Sequence, residues 1–233
     1  MKHRITAISD THTRHKLVDL PGGDTLIFGG DLMNSGYSVY EIHDFLRWFM
    51  CQDYDNLVFI AGNHDRRFEI NAEDTAEILK EYEDLVTYLQ DKTCVISNEE
   101  GESFNIYGSP WQPEFYNWAF NLPKGGKELV AKWDAIPTDT EILVTHGPPQ
   151  GILDISGPPY NEGNLGCALL RERVDLIKPK IHIFGHIHGS YGYKLVNGTH
   201  FINASVLNEK YEHTNMPLTF DWDSITNELE FIN

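Results

Sequence analysis

Five short polar segments each follow directly after an apolar run, and they constrain the fold of this chain more than any other feature. They are rich in Asp, His, Asn and Gly, and the first three are residue types that bind metal ions. In an α/β fold the carboxyl ends of parallel strands meet at one edge of a sheet, where ligands bind. We therefore expect a common pocket for Asp10-Thr11-His12, Gly30-Asp31, Gly62-Asn63-His64-Asp65, His146 and Gly185-His186-Ile187-His188.

The order of periodic segments predicts an α/β protein. The first part of the chain reads strand, loop, strand, helix, strand, which favours a mostly parallel sheet. We predict strands over 4–9, 25–28, 57–60, 94–98, 103–107, 141–145, 181–184, 191–196 and 199–203, β structure over 218–231, and helices over 38–50, 72–89, 125–133 and 167–177. Two βα-rich halves with hairpins predict two mixed β-sheets packed face to face with helices outside, in a single domain over 1–233.

Composition and charge exclude several classes of protein. The chain is 41% hydrophobic and 23% charged, and it has no apolar run of about 18 residues that would span a membrane. The N-terminus lacks the apolar core of a signal peptide, so we expect a cytoplasmic protein. A formal net charge of −17 opposes non-specific nucleic-acid binding. The scattered Cys51, Cys94 and Cys167 indicate free thiols and no disulfide framework.

The five segments carry the residue types of a metal centre. Carboxylates and imidazoles together suit divalent transition metals, and Asn63 can add an amide oxygen that brings no charge. Each segment alone also has a structural explanation, because Asp10 can start an Asx turn, Asp31 can cap a turn and His64 can be an ordinary loop histidine. Their joint occurrence at predicted strand ends favours the metal centre. His182 alternates with isoleucines inside its strand and is predicted to be structural.

The ordered set Asp-x-His, Gly-Asp, Gly-Asn-His-Asp, His and Gly-His-x-His resembles the motifs of the calcineurin-like metallophosphoesterase superfamily. These motifs span Asp10 to His188, and the resemblance implies a four-layer α/β/β/α sandwich. Further segments resemble the small metallophosphoesterase-domain proteins, which are similar to class III cyclic nucleotide phosphodiesterases. They are Gly108-Ser109-Pro110-Trp111, Phe120-Asn121-Leu122-Pro123, Thr145-His146-Gly147-Pro148-Pro149 and Ile202-Asn203-Ala204-Ser205.

The resemblance also implies two divalent cations and the residues that hold them. Manganese is the expected metal, with iron, zinc, nickel, cobalt or magnesium as alternatives. His64 matches the catalytic histidine of the family. The implied ligands are Asp10, His12, Asp31 and His188 for one cation and Asp31, Asn63, His146 and His186 for the other, with Asp31 bridging.

One motif departs from the phosphoprotein phosphatases of this superfamily, which continue Gly-Asp-x-x-Asp-Arg-Gly. Here Asn34 replaces the second aspartate and Ser35 replaces the arginine that clamps phosphate. Activity on phosphoproteins is therefore disfavoured. Arg66, Arg67 and Asn34 are candidates for substrate binding, and the alternative for the two arginines is a solvated pair of charges.

The resemblance implies a dinuclear metal phosphoesterase that hydrolyses phosphodiesters, with cyclic nucleotides or other small nucleotide esters as the first choice. Two cations held by such ligands would supply a bridging hydroxide for in-line attack, and His64 would protonate the leaving group. The alternatives are a nuclease, a phosphomonoesterase and a non-catalytic scaffold of the same fold. The expected partner is a small phosphodiester, and aromatic residues on which a base can stack are Trp111, Tyr116, Trp118, Tyr160 and Tyr191.

Overall fold

Two six-stranded mixed sheets form the centre of the molecule. The computed structural model describes residues 2–97, 102–157 and 163–232. The strands are β1 (Lys2–Ile8), β2 (Gly23–Phe28), β3 (Tyr54–Phe59), β4 (Thr87–Tyr88), β5 (Lys92–Ser97), β6 (Ser103–Ser109), β7 (Gln112–Pro113), β8 (Asn121–Leu122), β9 (Ile142–Thr145), β10 (Ile181–Phe184), β11 (Gly192–Val196), β12 (Thr199–Asn203), β13 (Leu218–Asp223) and β14 (Leu229–Phe231). The first sheet has the order β14-β13-β1-β2-β3-β4 and the second β11-β12-β10-β9-β6-β5, while β7 and β8 pair separately.

The two sheets pack face to face because both faces of their central strands are apolar. In β2, Ile27 packs between the sheets, whereas its neighbours Leu26 and Phe28 pack on the outer face. From the second sheet, Ile142 and Val144 of β9 enter the same inner layer. Successive side chains of a strand point to opposite faces, so one short apolar strand contributes to two cores at once.

Helices cover both outer faces, which confirms the predicted four-layer arrangement. The helix α1 (Val39–Phe49) begins after Ser38, whose hydroxyl accepts the N–H of Glu41, and it packs Phe45 on the first sheet. Trp133 and Leu170 come from the helices that cover the second sheet. Within the described ranges, no helix has the length and apolar character needed to cross a membrane. The helices are α1 (Val39–Phe49), α2 (Arg67–Ile70), α3 (Ala72–Lys80), α4 (Lys127–Asp134) and α5 (Ala168–Ile177).

The strands that lead into the polar segments are parallel neighbours. β1, β2 and β3 lie side by side in the first sheet, and β9 and β10 lie side by side in the second. The N–H of Ser9, just after β1, donates to the carbonyl of Ala204, just after β12, at 2.8 Å. This bond joins the carboxyl ends of strands from both sheets, so the loops that follow these strands share one edge of the sandwich.

Some predicted elements differ from the structure. The helix predicted over 72–89 is wrong in its second half, because α3 ends at Lys80 and Thr87–Tyr88 forms the edge strand β4. Val86 and Leu89 are buried in two different cores there, so tertiary packing overrides the local helical pattern. The small β7–β8 pair has no counterpart in the prediction. The turn predicted at 99–101, like Tyr160, lies outside the described residues.

Candidate metal centre

Two backbone hydrogen bonds hold the loop after β1 against the loop after β2. The N–H of Asp10 donates to the carbonyl of Gly30 at 2.9 Å, and the N–H of His12 donates to the carbonyl of Asp31 at 3.0 Å. The side chains of Asp10, His12 and Asp31 are all buried beneath these loops. The loops therefore bring two carboxylates and an imidazole into one enclosed volume.

Four of the seven residues predicted to bind metal adopt a left-handed backbone conformation. Their φ angles are 57° for Asp10, 41° for His12, 61° for Asp31 and 67° for His186. Each such conformation of a non-glycine residue is unfavourable by about 1–3 kcal/mol and persists only where the surrounding structure imposes it. The concentration of this strain in three adjoining loops indicates a functional site.

Asp10 and Asp31 are ionised although they are buried. Asp10 accepts the Ser205 hydroxyl at 2.8 Å and the backbone N–H of His186 at 3.0 Å. Asp31 accepts the backbone N–H of His64 at 2.7 Å. Burial would raise the pKa of both carboxyl groups, but the neighbouring histidines outweigh burial and hold both pKa values below the ordinary range. The centre therefore presents two negative charges near neutral pH.

Three histidines direct their Nε2 atoms toward these carboxylates. In each, Nδ1 donates its hydrogen to a backbone carbonyl, so in the neutral ring the lone pair lies on Nε2, as in histidines that bind metal ions. The carbonyls belong to Met33 for His12 (3.2 Å), Gly29 for His146 (3.0 Å) and Asn208 for His188 (3.0 Å). The Nε2 atoms of His12 and His146 lie 3.6 and 3.4 Å from Asp31, and that of His188 lies 3.4 Å from Asp10.

Two of these nitrogens fit a bound cation. The Nε2 atom of His12 is buried and has no hydrogen-bond partner in the described part of the chain. Burial lowers the pKa of His12 to about 4, so this nitrogen carries a free lone pair near pH 7. The Nε2 atom of His146 lies 2.8 Å from the amide oxygen of Asn63. Burial lowers the pKa of His146, but the Asp31 carboxylate outweighs burial and raises it to about 9.

The donor atoms form overlapping groups. Within each group all donor atoms lie within 4.8 Å of one another, and the groups are Asp10, His12 and His188; Asp10, Asp31 and His146; and His12, Asp31 and His64. With Asn63 beside His146, the structure brings six of the seven predicted metal residues together. The seventh, His186, belongs to none of the groups found among the described residues. Its ring lies 5.1 Å from that of His146, and burial lowers its pKa to about 3.

His64 lies beside the carboxylates, at the border of the cavity. Its Nδ1 donates to the backbone carbonyl of Asn34, which leaves Nε2 as the second functional nitrogen of the ring. One ring nitrogen lies within 4.8 Å of donor atoms of His12 and Asp31. The ring of Trp118 stacks on the imidazole, with centroids 3.9 Å apart and planes inclined by 25°. His64 is thus held close to the donor groups and faces the cavity.

The residues predicted to bind substrate occupy different surroundings. Asn34 supports His64 through its backbone carbonyl. Arg66 lines the same cavity as His64, and its guanidinium donates to the carbonyl of Asn117. Arg67 pairs with Asp74 at 3.4 Å and is not among the described residues that line the cavity. The predicted substrate contacts of these three residues stay predictions.

A family model described as calcineurin-like phosphoesterase matches residues 3–190. The chain belongs to this family. Its relative in humans, metallophosphoesterase domain-containing protein 1, is 37% identical over 240 residues, which cover 94% of this chain and 70% of the human protein. Membership in this family makes the protein a metal-dependent phosphoester hydrolase, and the donor groups described above are the candidate position of its metal.

Solved structures share the same architecture at low identity. The TT1561 protein of Thermus thermophilus gives a TM-score of 0.60 at 15% identity, covering 100% of this chain and 99% of that one. The phosphopantetheinyl hydrolase of Mycobacterium tuberculosis gives 0.57 at 16% identity, covering 89% and 90%. At these identities the likeness shows the fold alone, and it confirms the predicted sandwich of two sheets and helices.

Asp65 ends one of the predicted segments, but its role in this calcineurin-like phosphoesterase is visible only in the structure. Its buried carboxylate accepts four backbone N–H groups and so holds the loop after β2 against the loop after β3. Burial and the nearby Asp31 carboxylate raise the pKa of this carboxyl group to about 8, although the N–H groups of Met33 and Gly62 oppose the rise by stabilising its charged form. The donors are Asp31 (2.9 Å), Leu32 (3.3 Å), Met33 (2.8 Å) and Gly62 (2.7 Å).

Two further residues reach the metal centre from beyond the part of the chain that the family model matches. Ser205 donates to Asp10, and the ring of Tyr211 lies 4.8 Å from that of His12 and 5.3 Å from that of His188. Ser205 belongs to the Ile202-Asn203-Ala204-Ser205 segment, for which the sequence predicted no function. Tyr211 belongs to no motif, and only the tertiary fold reveals its position.

A cavity of about 750 Å³ opens beside the donor groups of this phosphoesterase. Of the aromatic residues predicted near the site, Trp111, Tyr116 and Trp118 line it. Tyr191 is not among its described lining residues, and its hydroxyl donates to the carbonyl of Met216. Such a volume is typical of small-molecule sites. Aromatic residues that the prediction did not include also line the cavity, and they are Phe115, Trp133 and Tyr211.

Proposed function

We propose that this protein is a dinuclear metal phosphodiesterase that acts on small nucleotide esters, cyclic nucleotides first among them. The observation that carries the proposal is the convergence of the His12, His146 and His188 Nε2 atoms on the buried carboxylates of Asp10 and Asp31. Three imidazoles with their other nitrogens already bonded to carbonyls form a donor set that suits divalent cations.

Two donor groups support a count of two cations. Asp10, His12 and His188 form one group, and Asp10, Asp31 and His146 form another, with the Asn63 side chain beside His146. The family resemblance implies that His186 is a further ligand of the second cation. When bound there, a pair of divalent cations supplies an activated water and offsets negative charge on the phosphoryl oxygens.

His64 is the proposed proton donor. The carbonyl of Asn34 accepts from Nδ1, so the proton that the ring can transfer is the one on Nε2. An imidazolium in this place protonates the leaving alkoxide as its bond to phosphorus breaks. General-acid help of this kind typically contributes a factor of about 10²–10⁴ in rate.

The cavity favours a small diester over a phosphoprotein or a polymer. Asn34 and Ser35 stand where phosphoprotein phosphatases carry aspartate and a phosphate-clamping arginine. Aromatic walls suit a nucleobase, and Arg66 and Lys124 supply positive charge within the same cavity. The net charge of −17 opposes long nucleic acids.

The first experiment compares wild-type protein and His64→Ala on bis(4-nitrophenyl) phosphate, before and after Mn²⁺ is added to metal-stripped protein. We expect activity in the wild type only with metal, and unchanged metal content in the variant. If the wild-type protein has neither bound metal nor activity after Mn²⁺ is added, the proposal is wrong and the non-catalytic scaffold is favoured.

A substrate panel then separates the remaining alternatives. It compares 2′,3′- and 3′,5′-cyclic nucleotides with single-stranded DNA, nucleoside monophosphates, a phosphopeptide and dinucleoside polyphosphates. We expect the highest kcat/KM on a cyclic nucleotide. A preference for DNA would identify a nuclease, and a preference for the monophosphates or the phosphopeptide would identify a phosphomonoesterase.

A further inference from the structure

Trp118 stacks on the imidazole of the proposed proton donor. The indole and the His64 imidazole are stacked, with centroids 3.9 Å apart and planes inclined by 25°. Contacts this close and this nearly parallel fix the relative orientation of two rings. Trp118 is half-buried and lies in the loop between β7 and β8, which is separate in sequence from the five segments predicted to form the metal centre.

The loop that carries Trp118 is fastened to the metal centre on both sides of the indole. The N–H of Ala119 donates to the carbonyl of Asn63 at 3.0 Å. The Arg66 guanidinium lies 4.8 Å from the centre of the Trp118 ring and donates to the carbonyl of Asn117. The indole is therefore held in place by the same short segment, 63–66, that contains His64.

The hydrogen bond of His64 to Asn34 leaves one motion of its ring uncontrolled. A bond from Nδ1 to the Asn34 carbonyl sets a direction within the plane of the imidazole. It does not prevent the ring from tilting about that direction, and a tilt moves Nε2 out of line with the leaving oxygen. A flat ring packed on the imidazole face opposes this tilt.

We propose that Trp118 is a positioning residue for the His64 imidazole, which it holds in the plane needed for proton transfer to the leaving group. The inference rests on the proposed function, because it needs His64 to be the general acid. It also assigns Trp118 a role other than stacking on a substrate base. A displacement of about 1 Å in a catalytic group can reduce the rate about 10²-fold.

The test compares two replacements of Trp118 that differ in planarity. Trp118→Phe keeps a flat ring, and Trp118→Leu keeps apolar bulk without one. Each is assayed with His64→Ala and the double variant His64→Ala/Trp118→Leu, on diaryl phosphates whose leaving phenols span a range of pKa values. Metal content and thermal unfolding are recorded for all variants.

We expect Trp118→Leu to lower kcat about 10- to 100-fold for the poorest leaving group and much less for nitrophenolate, with KM nearly unchanged. Trp118→Phe should restore most of that loss. The double variant should be no slower than His64→Ala, because the indole acts through the imidazole.

The outcomes separate this inference from the proposed function. If His64→Ala slows all leaving groups equally, the acid role fails, and the positioning role fails with it. If His64→Ala shows the leaving-group dependence and Trp118→Leu does not, only the positioning role is wrong. A rise in KM for Trp118→Leu without a fall in kcat would make Trp118 a substrate contact, as would additive losses in the double variant.

Discussion

The Nε2 atom of His146 lies 2.8 Å from the side-chain oxygen of Asn63 and 3.4 Å from Asp31 Oδ2. Nδ1 of the same ring already donates to the carbonyl of Gly29, so in the neutral imidazole the Nε2 lone pair faces two oxygen atoms. Such a contact between acceptors is unfavourable unless a proton or a metal cation lies between them. The same three side chains therefore hold either a proton or a cation, and the two compete.

This competition predicts that metal affinity rises with pH. Burial lowers the pKa of His146, but Asp31 outweighs burial and raises it to about 9, so below pH 9 a metal must displace a proton. Affinity should increase by up to about tenfold per pH unit for each proton released. His12 does not contribute in this range, because burial lowers its pKa to about 4. Titrations of metal-free protein with Co²⁺ against a chromophoric chelator at pH 6.5, 7.5 and 8.5 measure the slope.

His146→Ala provides the control for this titration. The variant should bind more weakly and show a shallower dependence on pH, since the competing proton is gone. An affinity in the wild type that is flat between pH 6.5 and 8.5 would show that His146 is neutral in the metal-free protein.

We predict that Asp65→Asn destabilises the protein and loosens the metal centre together. The four N–H groups that point at the Asp65 carboxylate need four acceptor positions, and an amide nitrogen cannot accept any of them. One buried donor without a partner costs about 1–3 kcal/mol in the free energy of unfolding. Urea unfolding and metal analysis measure the two effects.

Asp74→Asn is the matched control for Asp65→Asn. Asp74 is 68% exposed and pairs with Arg67, and a surface pair of this kind contributes about 0–1 kcal/mol. We expect a small loss of stability and full metal content. Equal stability of the two variants would mean that the four N–H groups find other acceptors.

Gly185→Ala should abolish metal binding through a steric effect alone. A Cβ at this position would lie 2.0 Å from Asp10 Oδ2 and 2.3 Å from Ser9 Oγ, and both atoms are buried. The methyl group must therefore displace Asp10. Gly163→Ala is the control, since a Cβ there meets no atom of the described residues within 4 Å and its φ angle is ordinary. Metal content after dialysis compares the two variants, and retention of metal by Gly185→Ala would contradict the assignment of Asp10.

The candidate site could be predicted from the sequence because its residues sit at strand ends. Asp10, Asp31 and His146 each follow a short apolar strand. The carboxyl ends of parallel strands meet at one edge of a sheet, so the residues that follow them lie close together. Periodicity failed over 72–89, where β4 forms by pairing with β3. Backbone pairing with a strand that is distant in sequence does not alter the local hydrophobic periodicity, so periodicity cannot predict it.

Side chains that act through others were harder to predict. Asp65 stands in a recognised motif, but its partners are backbone N–H groups, which every sequence contains. Trp118 and Tyr211 meet His64 and His12 from loops whose path depends on tertiary packing. Metal ligands are recognisable from residue type and spacing, whereas the residues that orient them are defined only by distance.

Ser205→Ala tests whether the support of Asp10 reaches beyond the part of the chain that the family model matches. The Ser205 hydroxyl donates to Asp10 Oδ2 at 2.8 Å in a fully buried environment, and it opposes rotation of a carboxylate that faces His188. Loss of such a supporting bond typically lowers metal affinity about 10- to 100-fold. We expect low activity at limiting Mn²⁺ and recovery at high Mn²⁺.

Thr199→Val is the control variant, since it removes another buried hydroxyl, one that donates to the carbonyl of Pro179. It should lower the free energy of unfolding by about 1 kcal/mol with no change in Mn²⁺ dependence. If both variants need the same Mn²⁺ concentration for half-maximal activity, the hydroxyl contributes to folding and not to the metal centre.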